Sequence, residues 1–264
     1  MRDTRWQGKI IPALALLLIA AVATDVVRRA LPRVATPRRP AGASVSDTAG
    51  SVGARSGRDL MPRQPVGTDL LDSAARVVAL RRIGIEGDGT YLSAMLVEGD
   101  SALHRWADDR ATRPLHVAVV RGDSVAGFQE VFLGNVAWAI SRWNGVGLPM
   151  WLEQGSDSSG ADVVVTWVDR LDSNRTGRSD LTWQRRGPLV KVHVTLATHL
   201  PDGHAVSSSQ MVALALHELG HAIGLGHSPV RTDALYPETS ATDLTQRDRR
   251  TAMLLYDLPP GSFK

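Results

Sequence analysis

The 264-residue chain has no cysteine. Disulfides, thiolate zinc sites, iron–sulfur clusters and cysteine nucleophiles are therefore excluded, and any metal held by side chains must be bound by His, Asp or Glu. The folded part of the chain also lacks a surplus of positive charge, although the pI is 9.7. Residues 1–68 hold 11 Lys+Arg against 4 Asp+Glu, whereas residues 69–264 hold 19 against 23. The basic character belongs to the N-terminal segment, while a nucleic-acid-binding fold carries its positive stripe on the folded domain. No nucleic-acid partner is expected. The hydrophobic fraction of 43% and charged fraction of 22% suit a globular protein that buries a core. They exclude collagen-like, coiled-coil and wholly disordered chains.

The N-terminus carries a targeting pattern. Arg2, Arg5 and Lys9 precede the uncharged stretch IIPALALLLIAAVAT at 10–24, and Ala21-Val22-Ala23 fits a small-x-small cleavage site. As a helix the stretch would span about 22 Å, short of a hydrocarbon core of ~30 Å. Residues 1–24 therefore read as a signal peptide, with an uncleaved N-terminal membrane anchor as the alternative. Either way export is expected, with the protein secreted, periplasmic or anchored by that segment. Residues 25–68, rich in Pro, Ala, Arg and Ser, read as a flexible linker.

Residues 69–102 read as a small structured preamble or a pro-segment. LDSAARVVALRRIGI has helix or strand potential, and GDGTYLSAMLVEG suggests a hairpin turning at Gly87-Asp88-Gly89. A denser pattern runs from 103 to 264. Residues 115–120 and 162–168 read as strands. Residues 127–144 read as an amphipathic helix through Val131, Val136, Ile140 and Trp143, ended by Asn144-Gly145. Residues 181–183 and 190–196 read as two more strands joined by a QRRGP turn. Trp138, Trp143 and Trp167 read as core residues. Asp243 reads as the cap of a last helix running through Gln246, Arg250, Met253 and Tyr256. The order predicts an α/β or α+β layer, a helix packed on a twisted mixed sheet.

Ser207, with Gln210 three residues later, opens one further helix. Met211 to Leu216 is uniformly apolar, so this helix should be buried on most sides. It then presents His217, Glu218 and His221. Residues four apart share a helix face, so two imidazoles at that spacing can reach one zinc ion. Glu218, one residue round, can approach a water without itself ligating. A catalytic zinc commonly takes a third protein ligand and keeps one position open. Gly224 can adopt the left-handed conformation that ends a helix, and the returning chain carries His227 back toward the same metal.

The string HELGHAIGLGH at 217–227 resembles the zinc signature of the metzincin metalloproteases. Ser228 directly after it is similar to the matrixin branch, of bacterial type here because no cysteine switch is possible. The resemblance spans about 103–258. It implies a metzincin-like zincin fold, with a buried active-site helix and the last helix behind the zinc. His217, His221 and His227 would be ligands of one catalytic Zn2+, Glu218 the general base and Gly224 the turn. The reaction implied is hydrolysis of a peptide or protein substrate lying along an edge strand, for which 181–183 is the best candidate. The family places Met beneath the zinc, and Leu235 stands at that position. Tyr236 and Pro237 follow it and would wall the substrate pocket. Animal matrixins add a structural zinc and Ca2+. His193, His199 and His204, the nearby histidines, read as solvated, His104 and His116 as structural, and calcium is not readable from sequence. The alternative is an exported zinc-binding or peptide-binding module without turnover.

Overall fold

The computed structural model describes residues 70–264 except 173 and 186. The expected export segment and linker, residues 1–68, lie outside the described residues. Among the described residues no helix is long and apolar enough to cross a membrane.

Five strands form the main sheet: β2 (Leu115–Val119), β3 (Leu152–Gly155), β4 (Val163–Val168), β5 (Gly177–Trp183) and β6 (Leu189–Ala197). Their spatial order is β3-β2-β4-β6-β5. The pairs β2–β3, β2–β4 and β4–β6 are parallel, and β5 alone runs antiparallel, at one edge, against β6. The β-branched run Val163–Val165 is buried, as expected of a strand inside a sheet covered by helices. The mixed α/β architecture expected from sequence is the one observed.

Two helices cover the sheet. Helix α3 (Val131–Asn144) starts four residues later than its pattern suggested, because Gly127 takes φ +74 and keeps the chain in a loop. Helix α4 (Ser208–Ala222) packs on α3 and on strands β5 and β6. Trp143 of α3 is 1% exposed and donates its indole N–H to the Leu216 carbonyl at 3.0 Å. Asn135 adds a side-chain bond to the Ser208 carbonyl at 3.2 Å. A buried aromatic of this size contributes several kcal/mol, about 3–5 by truncation to alanine.

Before the sheet lie helices α1 (Ser73–Glu86) and α2 (Leu92–Glu98), and strand β1 (Ala102–Leu103). Helix α5 (Gln246–Asp257) and strand β7 (Gly261–Ser262) close the chain, with β7 antiparallel to β1. The expected hairpin at 87–99 is not formed. Gly87-Asp88-Gly89 is a turn between two helices, since Leu92, Ala94, Met95, Leu96 and Glu98 are good helix formers. The last helix is capped by Thr245 rather than Asp243. Thr245 and Asp248 make a reciprocal capping box, while the Asp243 carboxylate is held by Arg142 at 2.8 Å. Trp138 is also misplaced by the sequence reading: it is 47% exposed, beneath the Arg142 guanidinium.

Helices α1 and α2 share the main core through Ala79, Ile83, Tyr91 and Leu92. Tyr91 donates its hydroxyl to Asp248 at 3.2 Å, and the Tyr91 N–H meets Thr251 Oγ1 at 3.1 Å. Arg82 reaches the carboxylate of Asp257 at 3.0 Å.

Candidate metal centre

Helix α4 carries the first chemical groups into the interior. It opens with a reciprocal capping box, in which Ser207 accepts from the Gln210 N–H and Gln210 accepts from the Ser207 N–H. Its last eight residues, from Ala215 to Ala222, are buried without interruption. The helix ends because Gly224 adopts φ +100, where a Cβ would lie 2.0 Å from the His104 carbonyl oxygen. Only glycine meets both conditions. The carbonyls orphaned at this helix end are satisfied from outside: Trp106 Nε1 donates to Ala222 at 2.9 Å and the Tyr256 hydroxyl to Ile223 at 3.0 Å.

The reversed chain brings His227 against His217 and His221. The ligand-competent atoms of all three lie within 4.8 Å of one another. The Nδ1 atom of His217 lies 2.9 Å from the Ala234 carbonyl, and that of His221 lies 2.8 Å from the Leu225 carbonyl. A carbonyl can only accept, so both Nδ1 atoms carry the proton and both Nε2 atoms carry a lone pair. These Nε2 atoms face each other at 3.0 Å. The Nε2 atom of His227 is buried and has no hydrogen-bond partner. Burial pushes all three imidazoles below their ordinary range, His227 down to about 3, with the neighbouring rings adding to the effect at His217 and His227. Three neutral imidazoles with convergent lone pairs are the donor set of a catalytic zinc. The residues fit the ion, and no other group of three metal-competent side chains gathers among the described residues.

Glu218 points to strand β5. Ser179 donates its hydroxyl to Glu218 Oε2 at 2.6 Å, and both residues are buried. A Cβ on Gly177 would fall 2.2 Å from Glu218 Oε1, so the carboxylate occupies the room that this glycine leaves. Burial pushes the Glu218 carboxyl up to about 7, against the opposing bond from Ser179. Ser179 and Gly177 were missed in the sequence. They lie about forty residues before Glu218 on another element, and no local pattern links them.

Leu235 sits under the histidine helix and is fully buried. Its Cδ2 lies 2.7 Å from where a Gly220 Cβ would be, so Gly220, between the two helical histidines, admits it. The segment is fixed by buried carboxylates. Ser228 donates to Asp233 at 2.5 Å, Thr245 donates to the other Asp233 oxygen at 3.0 Å, and the Ala234 N–H donates to Asp248 at 3.0 Å. Asp233 and Asp248 thus hold the Ala234 carbonyl that orients His217. Tyr236 is half-buried beside this turn and Pro237 is exposed.

The remaining histidines separate. His193 and His204 are exposed, as expected. His199 is not solvated: it is half-buried, with Nδ1 2.6 Å from Asp169, and it covers Gly127. His104 is buried between the Gly187 carbonyl and Asp100 and packs on Trp183, which makes it structural. His116 is exposed, 3.5 Å from Glu153.

No curated protein matches the chain. Residues 134–257 match the matrixin family, a span that contains most of α3, the edge strand, the three histidines, Glu218, Leu235 and all of α5. These residues are similar to a matrixin domain, and the likeness supports a metalloendopeptidase of the metzincin type.

Proposed function

We propose that the protein is an exported zinc-dependent endopeptidase in which Glu218 is the general base. The observation that carries this reading is the junction of two features on one helix. Three imidazole lone pairs converge, and the adjacent carboxyl is buried with its pKa up to about 7. His217, His221 and His227 would hold the zinc. When bound, zinc supplies a Lewis acid that acidifies water and polarises the scissile carbonyl.

The rest is done by the chain. The carbonyls of Ala234 and Leu225 keep the Nε2 atoms of His217 and His221 deprotonated and aimed. Glu218, on the next helix position, takes a proton from the attacking water on a carboxylate oxygen and returns it to the leaving amine. A base with a pKa near the operating pH serves both transfers. Among the described residues, strand β5 stands at the edge of the sheet, paired with β6 on one side. An extended peptide can add there as a further strand. Tyr236 and Pro237, next to Leu235, would form a wall of the pocket beside the cleaved bond.

The test uses the full chain, loaded with one zinc, on an unfolded general protein substrate. Wild type should cleave it and lose activity to a chelator. Glu218→Gln should keep the zinc and lose about 10²–10⁴-fold in turnover. Turnover unchanged in Glu218→Gln sinks the assigned base. A folded wild type that binds zinc and cleaves nothing would favour the binding module without turnover.

A further inference from the structure

The general base assigned above needs its carboxylate aimed, and the aiming does not come from its own helix. On strand β5, Gly177 and Ser179 are two residues apart and therefore share one face. Ser179 is 3% exposed. Its hydroxyl lies 2.6 Å from Glu218 Oε2 and 3.1 Å from the Glu218 backbone carbonyl. Gly177 leaves the space taken by Oε1: a Cβ there would stand 2.2 Å from that oxygen and 2.8 Å from the carboxyl carbon. One residue thus holds the carboxylate by a hydrogen bond and the other by the absence of a side chain. The same strand is the edge strand of the sheet, the element proposed above to align a peptide.

We infer that Ser179 is a positioning residue for Glu218, and that Gly177 and Ser179 together form a seat on β5 that fixes the base relative to a peptide on the same strand. The seat ties the orientation of the base to the element that aligns the substrate. A misplacement of about 1 Å in such a group can cost on the order of 10²-fold in rate. The inference rests on the proposed protease reading, so its test starts from a wild type already shown to cleave and to be stopped by a chelator. If wild type does not cleave, the protease reading has failed, and the seat fails with it as a device of catalysis.

Four variants separate the seat from simple packing. Ser179→Ala should keep its zinc content and melting temperature near wild type, lower kcat by about tenfold or more, and leave KM nearly unchanged. Ser179→Thr, which keeps the hydroxyl, should recover part of kcat. In a Glu218→Ala background, Ser179→Ala should have no further effect, because its influence passes through the carboxylate. Gly177→Ala should lower kcat by displacing Oε1, with zinc retained. An unchanged kcat in Ser179→Ala overturns the inference. So does an equal loss from Ser179→Ala with and without Glu218, since that loss would then come from packing.

Discussion

Between His217 and His221 the helix carries Gly220, and Leu235 fills the space that a side chain there would occupy. The contact explains how a branched alkyl group can stand at the position where the family has Met. Leucine and methionine have similar volumes, and such exchanges in a core usually cost less than about 1.5 kcal/mol. Leu235 makes no bond that depends on a side-chain heteroatom. Its backbone carbonyl accepts from the Ser228 N–H at 2.9 Å. The expected behaviour is a coupling of sizes. Gly220→Ala should destabilise by about 1–3 kcal/mol, because its Cβ would overlap Leu235. Leu235→Ala should destabilise by about 2–5 kcal/mol, through the cavity it leaves. The double variant should be more stable than the two losses predict when added, as is usual for residues in contact. Urea denaturation of the four proteins measures the coupling. Simple additivity would mean that the pair does not meet as described.

At the scale of elements, α1 and α2 share the core of the residues that match the matrixin family. Tyr91 and Leu92 are 2% and 0% exposed, and Tyr91 bonds to Asp248, the residue that both caps α5 and holds the Ala234 N–H. Strand β7 pairs with β1, and Met95 packs against Gly226 beside His227. Fully burying one large apolar side chain contributes about 1.5–3 kcal/mol, and a domain has only about 5–15 kcal/mol in total. Removal of residues 70–102 should therefore leave a chain that does not fold cooperatively. Circular dichroism melts of the proteins 70–264 and 103–264 test this. A shortened protein with the same melting temperature, and with zinc bound, would show that α1 and α2 are dispensable cover. The same elements mark what could be read from the sequence. The HELGHAIGLGH string, the Ser207 cap and the Val163–Val165 strand are local, and each states its own structure. Helix α2 lost to a turn signal, because Gly-Asp-Gly serves a helix–helix junction as well as a hairpin. The Asp243 cap lost to Thr245, whose partner Asp248 lies at the box spacing. The seat of Glu218 was invisible because it is made by the pairing of β5 with β6 and the packing of α4 on both. No spacing along the chain encodes such a contact.

For the whole molecule, burying three neutral imidazoles makes folding depend on pH in a direction that can be worked out. Histidine in the unfolded chain has a pKa near 6.5, while in the fold all three are lowered, His227 to about 3. Below about pH 6.5 the unfolded chain binds protons that the folded chain refuses, so metal-free stability falls as the pH drops through that value. Glu218 acts the other way. Its carboxyl, raised to about 7 in the fold, takes a proton there before it does in the unfolded chain, which favours the fold as pH falls toward about 4.5. Three imidazoles outweigh one carboxyl, so the net change is a loss. The carboxylates whose pKa is lowered by arginine, Glu86, Asp123 and Asp243, start from 4.5 or 3.8 and act mainly below this window. Chelator-treated protein should therefore melt at a clearly lower temperature at about pH 5 than at about pH 7.5, and His227→Ala should show a shallower fall. Zinc, which binds the same nitrogens in the fold, should raise the melting temperature at the higher pH. A free concentration about 100 times its Kd corresponds to about 2.7 kcal/mol. The rise should persist at about pH 5, because the folded histidines are already neutral there and zinc displaces no proton from them. A melting temperature independent of pH across this window, equal in wild type and His227→Ala, would mean that the histidines are not held neutral inside the fold.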